Sequence, residues 1–146
     1  MGYCNLCEVD QERPLKLLVG NTIVSQKAIE MSEISYKDSI STKNKTLRLQ
    51  MQEDGNLVLF DLKKEKPIWA TMPSETFIHR ANAKLQSDGV LAVFADVGND
   101  AIYASQSAGK GTAPYCVVVS DNPARYGVSI YDSQCEQVWH PSVAQL

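Results

Sequence analysis

Met51-Gln52-Glu53-Asp54-Gly55-Asn56-Leu57-Val58-Leu59-Phe60, followed by Pro67-Ile68-Trp69-Ala70-Thr71, is the stretch on which the reading of this chain turns. In an extended strand, residues two apart share a face. Gln52, Asp54 and Asn56 are therefore expected to project together, with Val58 and Phe60 continuing their row. The opposite row, Met51, Glu53, Gly55, Leu57 and Leu59, becomes apolar only toward its end. Neighbouring amide and carboxylate groups beside an apolar patch do little for stability. They suit a ligand rich in hydroxyls, which such groups bind as paired donors and acceptors.

The pattern returns twice. A second copy reads Leu85-Gln86-Ser87-Asp88-Gly89-Val90-Leu91-Ala92-Val93-Phe94, then Ala101-Ile102-Tyr103-Ala104-Ser105. A more worn third copy runs Gly127-Val128-Ser129-Ile130-Tyr131, then Gln137-Val138-Trp139. Phe60, Phe94 and Tyr131 are spaced by 34 and 37 residues; Trp69, Tyr103 and Trp139 by 34 and 36. Two independent markers with one period mean an internal repeat, and three units point to a pseudo-threefold assembly. Short apolar runs such as Leu17-Leu18-Val19 and Thr22-Ile23-Val24, separated by turn residues, read as strands, and residues 27–40 fit neither period. Glu53-Asp54-Gly55 and Asp88-Gly89 supply hairpin turns, and Ser107 to Thr112 reads as a linker between the second and third units. No helical periodicity lasts beyond two turns, so the fold class is all-β.

The first copy resembles the Q-x-D-x-N-x-V-x-Y signature of the bulb-type, mannose-binding lectins of the snowdrop family. Gln52, Asp54, Asn56 and Val58 match, Phe60 replaces the tyrosine, and Pro67 to Thr71 looks like the family's repeat ending. The resemblance implies a β-prism II of three four-stranded antiparallel sheets, with Trp69, Tyr103 and Trp139 packed toward its axis. It further implies that Asp54 and Asn56 engage the axial 2-hydroxyl of mannose, Gln52 the 3-hydroxyl, and Val58 the ring carbons. Phe60 keeps the ring of the family's tyrosine but cannot hydrogen-bond the 4-hydroxyl. The second copy retains only Gln86 and Asp88, with Val90, Ala92 and Phe94 at the other positions, and is expected to be a degenerate site. Counting back from Tyr131 puts Ser129, Gly127, Arg125 and Pro123 at the motif positions of the third copy, which is expected to be dead. In the family a cysteine often stands at the place of Gly55 and forms a disulfide, which is missing here.

The chain has 146 residues, room for one domain: residues 1–14 read as an extension, and 15–146 as the repeat domain, with units centred on 47–71, 81–105 and 115–140. A net charge of −3 and scattered basic residues give no footprint for nucleic acid. No run is long and apolar enough to span a bilayer, and no signal peptide is visible. The cytoplasm, or export by a non-classical route, is the expected location. Asn44-Lys45-Thr46 is a glycosylation triplet by pattern, and Met1-Gly2 with Cys4 only weakly fits an acylation signal. Cys4 and Cys7 form a C-x-x-C with neither the second close pair of a zinc site nor a redox-motif context; Cys116 and Cys135, placed on one hairpin, could pair in an oxidising compartment.

His79 and His140 sit near turns or the terminus, and Asp54, Asp88 and Asp121 fall in turn motifs that explain them. No nucleophile–base pair is evident, so the chain is expected not to be an enzyme and to need no cofactor or metal. The expected function is recognition of mannose or mannose-terminated glycans through the first copy. The alternative is a non-catalytic interaction or structural domain of the same fold that has lost sugar binding. The apolar C-terminal stretch Val138-Trp139 is expected to act as an edge strand and to pair two copies into a homodimer.

Overall fold

The computed structural model describes residues 4–10, 12, 15–16, 33–34, 39–71, 80–86, 88–95 and 101–141. The expected strands between Leu17 and Val24, residues 27–32 and 35–38, and His79 lie outside the described residues.

Among the described residues, twelve strands form three antiparallel four-stranded sheets. In the first, β3 (Ser39–Ser41), β4 (Leu47–Met51), β5 (Leu57–Asp61) and β6 (Lys66–Ala70) lie in chain order. The second has the order β2 (Glu33–Ile34), β7 (Ala81–Leu85), β8 (Leu91–Ala95) and β9 (Ala101–Ala104). The third joins β1 (Leu15–Lys16) to β10 (Cys116–Ser120), β11 (Gly127–Tyr131) and β12 (Gln137–Trp139). Each repeat thus gives three consecutive strands, and an earlier segment adds the edge. For the third sheet that edge comes from the start of the chain, where Leu15 faces Val117 and Lys16 faces Cys116.

Alternation decides which face of each sheet is inside. Leu47, Leu49 and Met51 are buried while Arg48 and Gln50 between them are half-exposed, and Ala81, Ala83 and Leu85 repeat the pattern on β7. These inner rows meet in one core with Leu59, Val93 and Ile130. Those three residues stand at one register, facing Trp69, Tyr103 and Trp139 respectively, and a bulge follows each. Trp69 packs edge-on against Tyr103 at 6.0 Å and Trp139 at 5.7 Å between ring centroids. The expected aromatic centre is therefore present, and each such pair adds roughly 0.5–1.5 kcal/mol beyond burial.

Register also corrects the count in the third unit. Met51, Leu85 and Val119 pair with Leu57, Leu91 and Val128 across their hairpins. The first three residues are spaced by 34 and 34, the second three by 34 and 37. The three extra residues of the last period therefore lie within the β10–β11 hairpin, where Pro123–Arg125 forms a 3-10 turn. In register, Ser120, Gly127, Ser129 and Tyr131 correspond to Gln52, Asn56, Val58 and Phe60. Pro123 and Arg125 belong to the insertion and are not motif positions, because back-counting cannot see a lengthened turn.

The expected cysteine pairing also changes. Cys4 is bonded to Cys135 and Cys7 to Cys116. Cys116 lies on β10 and Cys135 in the β11–β12 turn, each tied to the N-terminal segment rather than to the other. Between the bonds, Asn5–Glu8 forms a 3-10 turn. Beyond them, Asp10 accepts hydrogen bonds from Ser120 Oγ at 2.7 Å and from two nitrogens of Arg125 at 2.8 and 3.2 Å. The extension is therefore fastened to the third sheet and to its inserted turn.

Candidate functional site

The hairpin turn expected at Glu53-Asp54-Gly55 is present, and it interrupts the extended row expected of the same residues. β4 stops at Met51 and β5 starts at Leu57, so Gln52 to Asn56 form the connecting turn. Gln52 N donates to Asn56 O at 2.9 Å, Gly55 N to Gln52 O at 3.1 Å, and Asn56 N to the Asp54 carboxylate at 3.0 Å. An aspartate that captures the amide two residues on, followed by Gly55 at φ +90°, ends a strand and turns the chain. Gln52, Asp54 and Asn56 nonetheless all remain half-exposed around this turn, while Glu53 points to solvent and Gly55 is buried. Phe60 is half-exposed too; Val58 is 3% exposed, which limits what its side chain can offer a ligand.

Thr71 orients this group, a role not foreseen from the sequence. Its hydroxyl accepts from Leu57 N and donates to Asn56 Oδ1, each at 3.1 Å, while its own N–H donates to Leu57 O. Ser105, one period on, likewise accepts from Leu91 N at 2.9 Å. The hydroxyl at the end of each of these two repeat endings was the available signal. Asp54 engages Oδ1 in the turn, and a carboxylate keeps further acceptor sites after one such bond. Arg48, a second residue that the motif does not include, stands directly across from Phe60, beside Gln50 across from Val58.

The second hairpin copies the backbone without the chemistry. Gln86 N donates to Val90 O at 2.8 Å, Val90 N to Asp88 Oδ1 at 3.2 Å, and Gly89 has φ +90°. Val90 and Ala92 are apolar and buried where the first hairpin has Asn56 and Val58, and the Lys84 ammonium lies 5.7 Å from the centre of the Phe94 ring. The segment expected to be a loose linker packs onto this turn. Ser107 Oγ donates to Gly89 O at 2.8 Å and Gly109 N to Asp88 O at 3.1 Å. The Tyr115 ring lies so close that a Cβ on Gly89 would meet it at 3.0 Å.

In the third sheet the corresponding face is covered. Cys116 and Val118 stand at the register of Arg48 and Gln50, across from Tyr131 and Ser129. Cys4, Cys7, Cys116, Val118 and Tyr131 form a separate buried cluster, with Leu6 packed on it. This is why every residue of β10 and β11 is buried, whereas β4 and β7 alternate. Tyr131 keeps the hydroxyl that Phe60 lacks, but donates it to Gln137 at 3.4 Å.

Outside the first hairpin, Asp61 and Asp132 hold turns. Asp61 accepts from Lys63 N and Lys64 N at 3.0 Å each, and these bonds, that from Lys64 foremost, hold its carboxyl pKa below the usual range. For Asp132, burial acts to raise the pKa, but backbone N–H groups of Glu136, Thr112 and Gln134 outweigh it and the net shift is downward. The Asp121 pKa is lowered by hydrogen bonds from Thr46 and Asn44, which join the inserted turn to the first sheet. Among the described residues no group of three or more His, Cys, Asp or Glu is placed to hold a metal ion, and no helix is long and apolar enough to cross a membrane.

No protein-family model matches the chain. A 49-residue stretch, a third of either protein, is 49% identical to a mannose-specific lectin of Narcissus tazetta. The mannose-specific agglutinin of snowdrop (Galanthus nivalis), solved with methyl-α-D-mannoside, is 32% identical with a TM-score of 0.53, over 68% of this chain and 82% of that one. This chain belongs to the bulb-type lectin family. The mannose-specific bluebell (Scilla campanulata) lectin adds a match over 87% of this chain and 96% of its own, at 27% identity and a TM-score of 0.55. The three sheets are thus the β-prism II of the bulb lectins, and membership in a class of non-catalytic sugar-binding proteins agrees with the expectation that this one is no enzyme.

Proposed function

We propose that this bulb-type lectin recognises mannose or mannose-terminated glycans, and that the first hairpin is its working site. One observation carries the placement. Among the described residues, only there do an amide, a carboxylate and a second amide (Gln52, Asp54 and Asn56) share one turn, half-exposed, with Asn56 oriented by Thr71. Asp54 and Asn56 read the axial hydroxyl and Gln52 its neighbour, while Phe60 offers a ring face without a hydrogen bond. The second hairpin lacks the second amide, and the third face is occupied by the protein's own N-terminus.

The two disulfides support work in an oxidising compartment, which of the two expected locations favours export over the cytoplasm. A homodimer through the edge strand β12 remains the proposed assembly, although Val138 and Trp139 pack against their own core. Light scattering on the intact chain and on one lacking residues 138–146 tests it, and a monomer at micromolar concentration in the intact chain rejects it.

Titration with methyl α-mannoside, methyl α-glucoside and methyl α-galactoside tests the main reading. Mannoside is expected to bind best, and Asp54→Ala or Asn56→Ala to abolish binding, since each removes a partner of the axial hydroxyl. Undiminished binding in Asn56→Ala moves the site elsewhere.

A further inference from the structure

Among the described residues the Nε of Arg48 has no hydrogen-bond partner, and Arg48 stands on the face where the sugar would lie. Its neighbours Leu47 and Leu49 are 1% and 0% exposed, so alternation turns Arg48 to the outer face of β4, across from Phe60. The residue is half-buried, and its Nε is fully buried with no hydrogen-bond partner. Three other cations of the described residues have partners: Arg125 has Asp10, Lys45 has Glu12, and Lys84 has the Phe94 ring. A guanidinium carries five donors in a rigid fork, and leaving a buried donor unmade is costly. Nε itself is closed to solvent, so an anion on this face would meet the terminal nitrogens of the fork. The other two sheets have nothing equivalent, since Asn82 and Cys116 stand at this register.

We infer that Arg48 makes the first face selective for mannose-type glycans that bear an anionic group, a carboxylate or a phosphate; this rests on the mannose reading of the same site. A neutral hydroxyl matches one donor of the fork. A carboxylate or phosphate matches two and brings the opposite charge. An anion on the exocyclic carbon of the sugar leaves the 2-, 3- and 4-hydroxyls unaltered for Gln52, Asp54 and Asn56. Asp54 would repel such a group, but it stands in the hairpin turn, whereas Arg48 lies four residues back along the chain from Gln52, about 13 Å of extended strand. The row therefore has a hydroxyl-reading end and an anion-reading end.

The experiment is calorimetric titration in low salt with methyl α-mannoside, mannose 6-phosphate, mannuronic acid and glucose 6-phosphate. Mannose 6-phosphate or mannuronic acid is expected to bind about tenfold more tightly than the neutral mannoside, the scale of one charge-assisted hydrogen bond. Comparing these two arms tells which anion fits. Arg48→Gln, checked for folding by circular dichroism, should bring the charged and neutral affinities together, and Arg48→Lys should keep part of the difference. The preference should also shrink as salt screens it. Mannoside binding with no anion preference overturns this inference and leaves the lectin reading standing. The inference also falls if Arg48→Gln keeps the preference, or if glucose 6-phosphate binds as tightly as mannose 6-phosphate. Binding of none of the sugars overturns both readings.

Discussion

On the outer face of the first sheet, Arg48 and Gln50 stand across from Phe60 and Val58; at the same register of the third sheet, Cys116 and Val118 stand across from Tyr131 and Ser129. The backbones agree down to the bulge that follows Leu59 and Ile130. Their uses differ because of what approaches each face. One keeps a turn of half-exposed polar groups, while the other receives the N-terminal segment, held by Cys4–Cys135 and Cys7–Cys116. Internal repetition makes this division possible, since the inner rows of all three sheets build one core and the outer rows are left to diverge.

The largest expected effect comes from breaking the covered face. Cys7→Ser with Cys116→Ser removes one long-range link, and should cost about 2–5 kcal/mol of stability. In thermal unfolding that is a fall in Tm of roughly 4–20 °C for a chain of this size. Gln52→Ala on the open face should stay within about 0.5 kcal/mol, as surface changes away from special contacts do. Equal losses in the two variants would mean that the faces do not differ as described.

The sequence carried the architecture because period and core chemistry coincide in it. Phe60, Phe94 and Tyr131 mark one register, Trp69, Tyr103 and Trp139 another, and both sets are where alternation requires. What it hid was anything set by approach between distant segments. The partners of Cys116 and Cys135 lie 109 and 131 residues away, and only the folded third sheet brings them close. The hairpin insertion was hidden for a related reason: a 37-residue step does not say where the extra three residues go, whereas the pairing of Val119 with Val128 does. The motif residues were legible as a group, and so was the Glu53-Asp54-Gly55 turn, but the alternation argument carried the extended row through that turn, where Asp54-Gly55 ends the strand. Arg48 belongs to no motif, and became visible only as an unmatched donor.

A middle-sized effect separates the carboxylates that follow the two aromatics. Asp61 and Asp132 come directly after Phe60 and Tyr131, and both hold the next turn with pKa values below the ordinary range. A lowered folded-state pKa gives stability that is fully present above the unfolded carboxylate value, near 4, and is lost as pH falls through the folded value. Acid unfolding should therefore steepen below about pH 4. Asp132 accepts from Gln134 N, Glu136 N and Thr112 N at 2.9, 2.8 and 2.9 Å, so Asp132→Ala leaves three donors to find water. The expected loss is about 1–3 kcal/mol at neutral pH, with a shallower acid limb in the stability curve. An acid limb unchanged in that variant would place the proton linkage elsewhere.

The smallest effect concerns one hydroxyl. The third sheet retains it on Tyr131 but commits it to Gln137 on a face closed to ligands, while the open first face has Phe60 in its place. Phe60→Tyr restores on the open face what the closed one has kept. Phe60 is half-exposed, so the added oxygen need not be buried without a partner. A neutral hydrogen bond is worth about 0.5–1.5 kcal/mol net, so affinity for methyl α-mannoside should rise by up to about tenfold. Arg48 sharpens the expectation, because it stands across from this position and a guanidinium can donate to a phenol oxygen. That bond would draw the guanidinium away from an anionic ligand. Phe60→Tyr should therefore narrow the gap between mannose 6-phosphate and the neutral mannoside while raising the affinity of the latter. Titration of both sugars against the variant measures the two effects at once. A mannoside affinity that falls would show that the unsubstituted ring of Phe60, rather than a missing hydroxyl, is what this site uses.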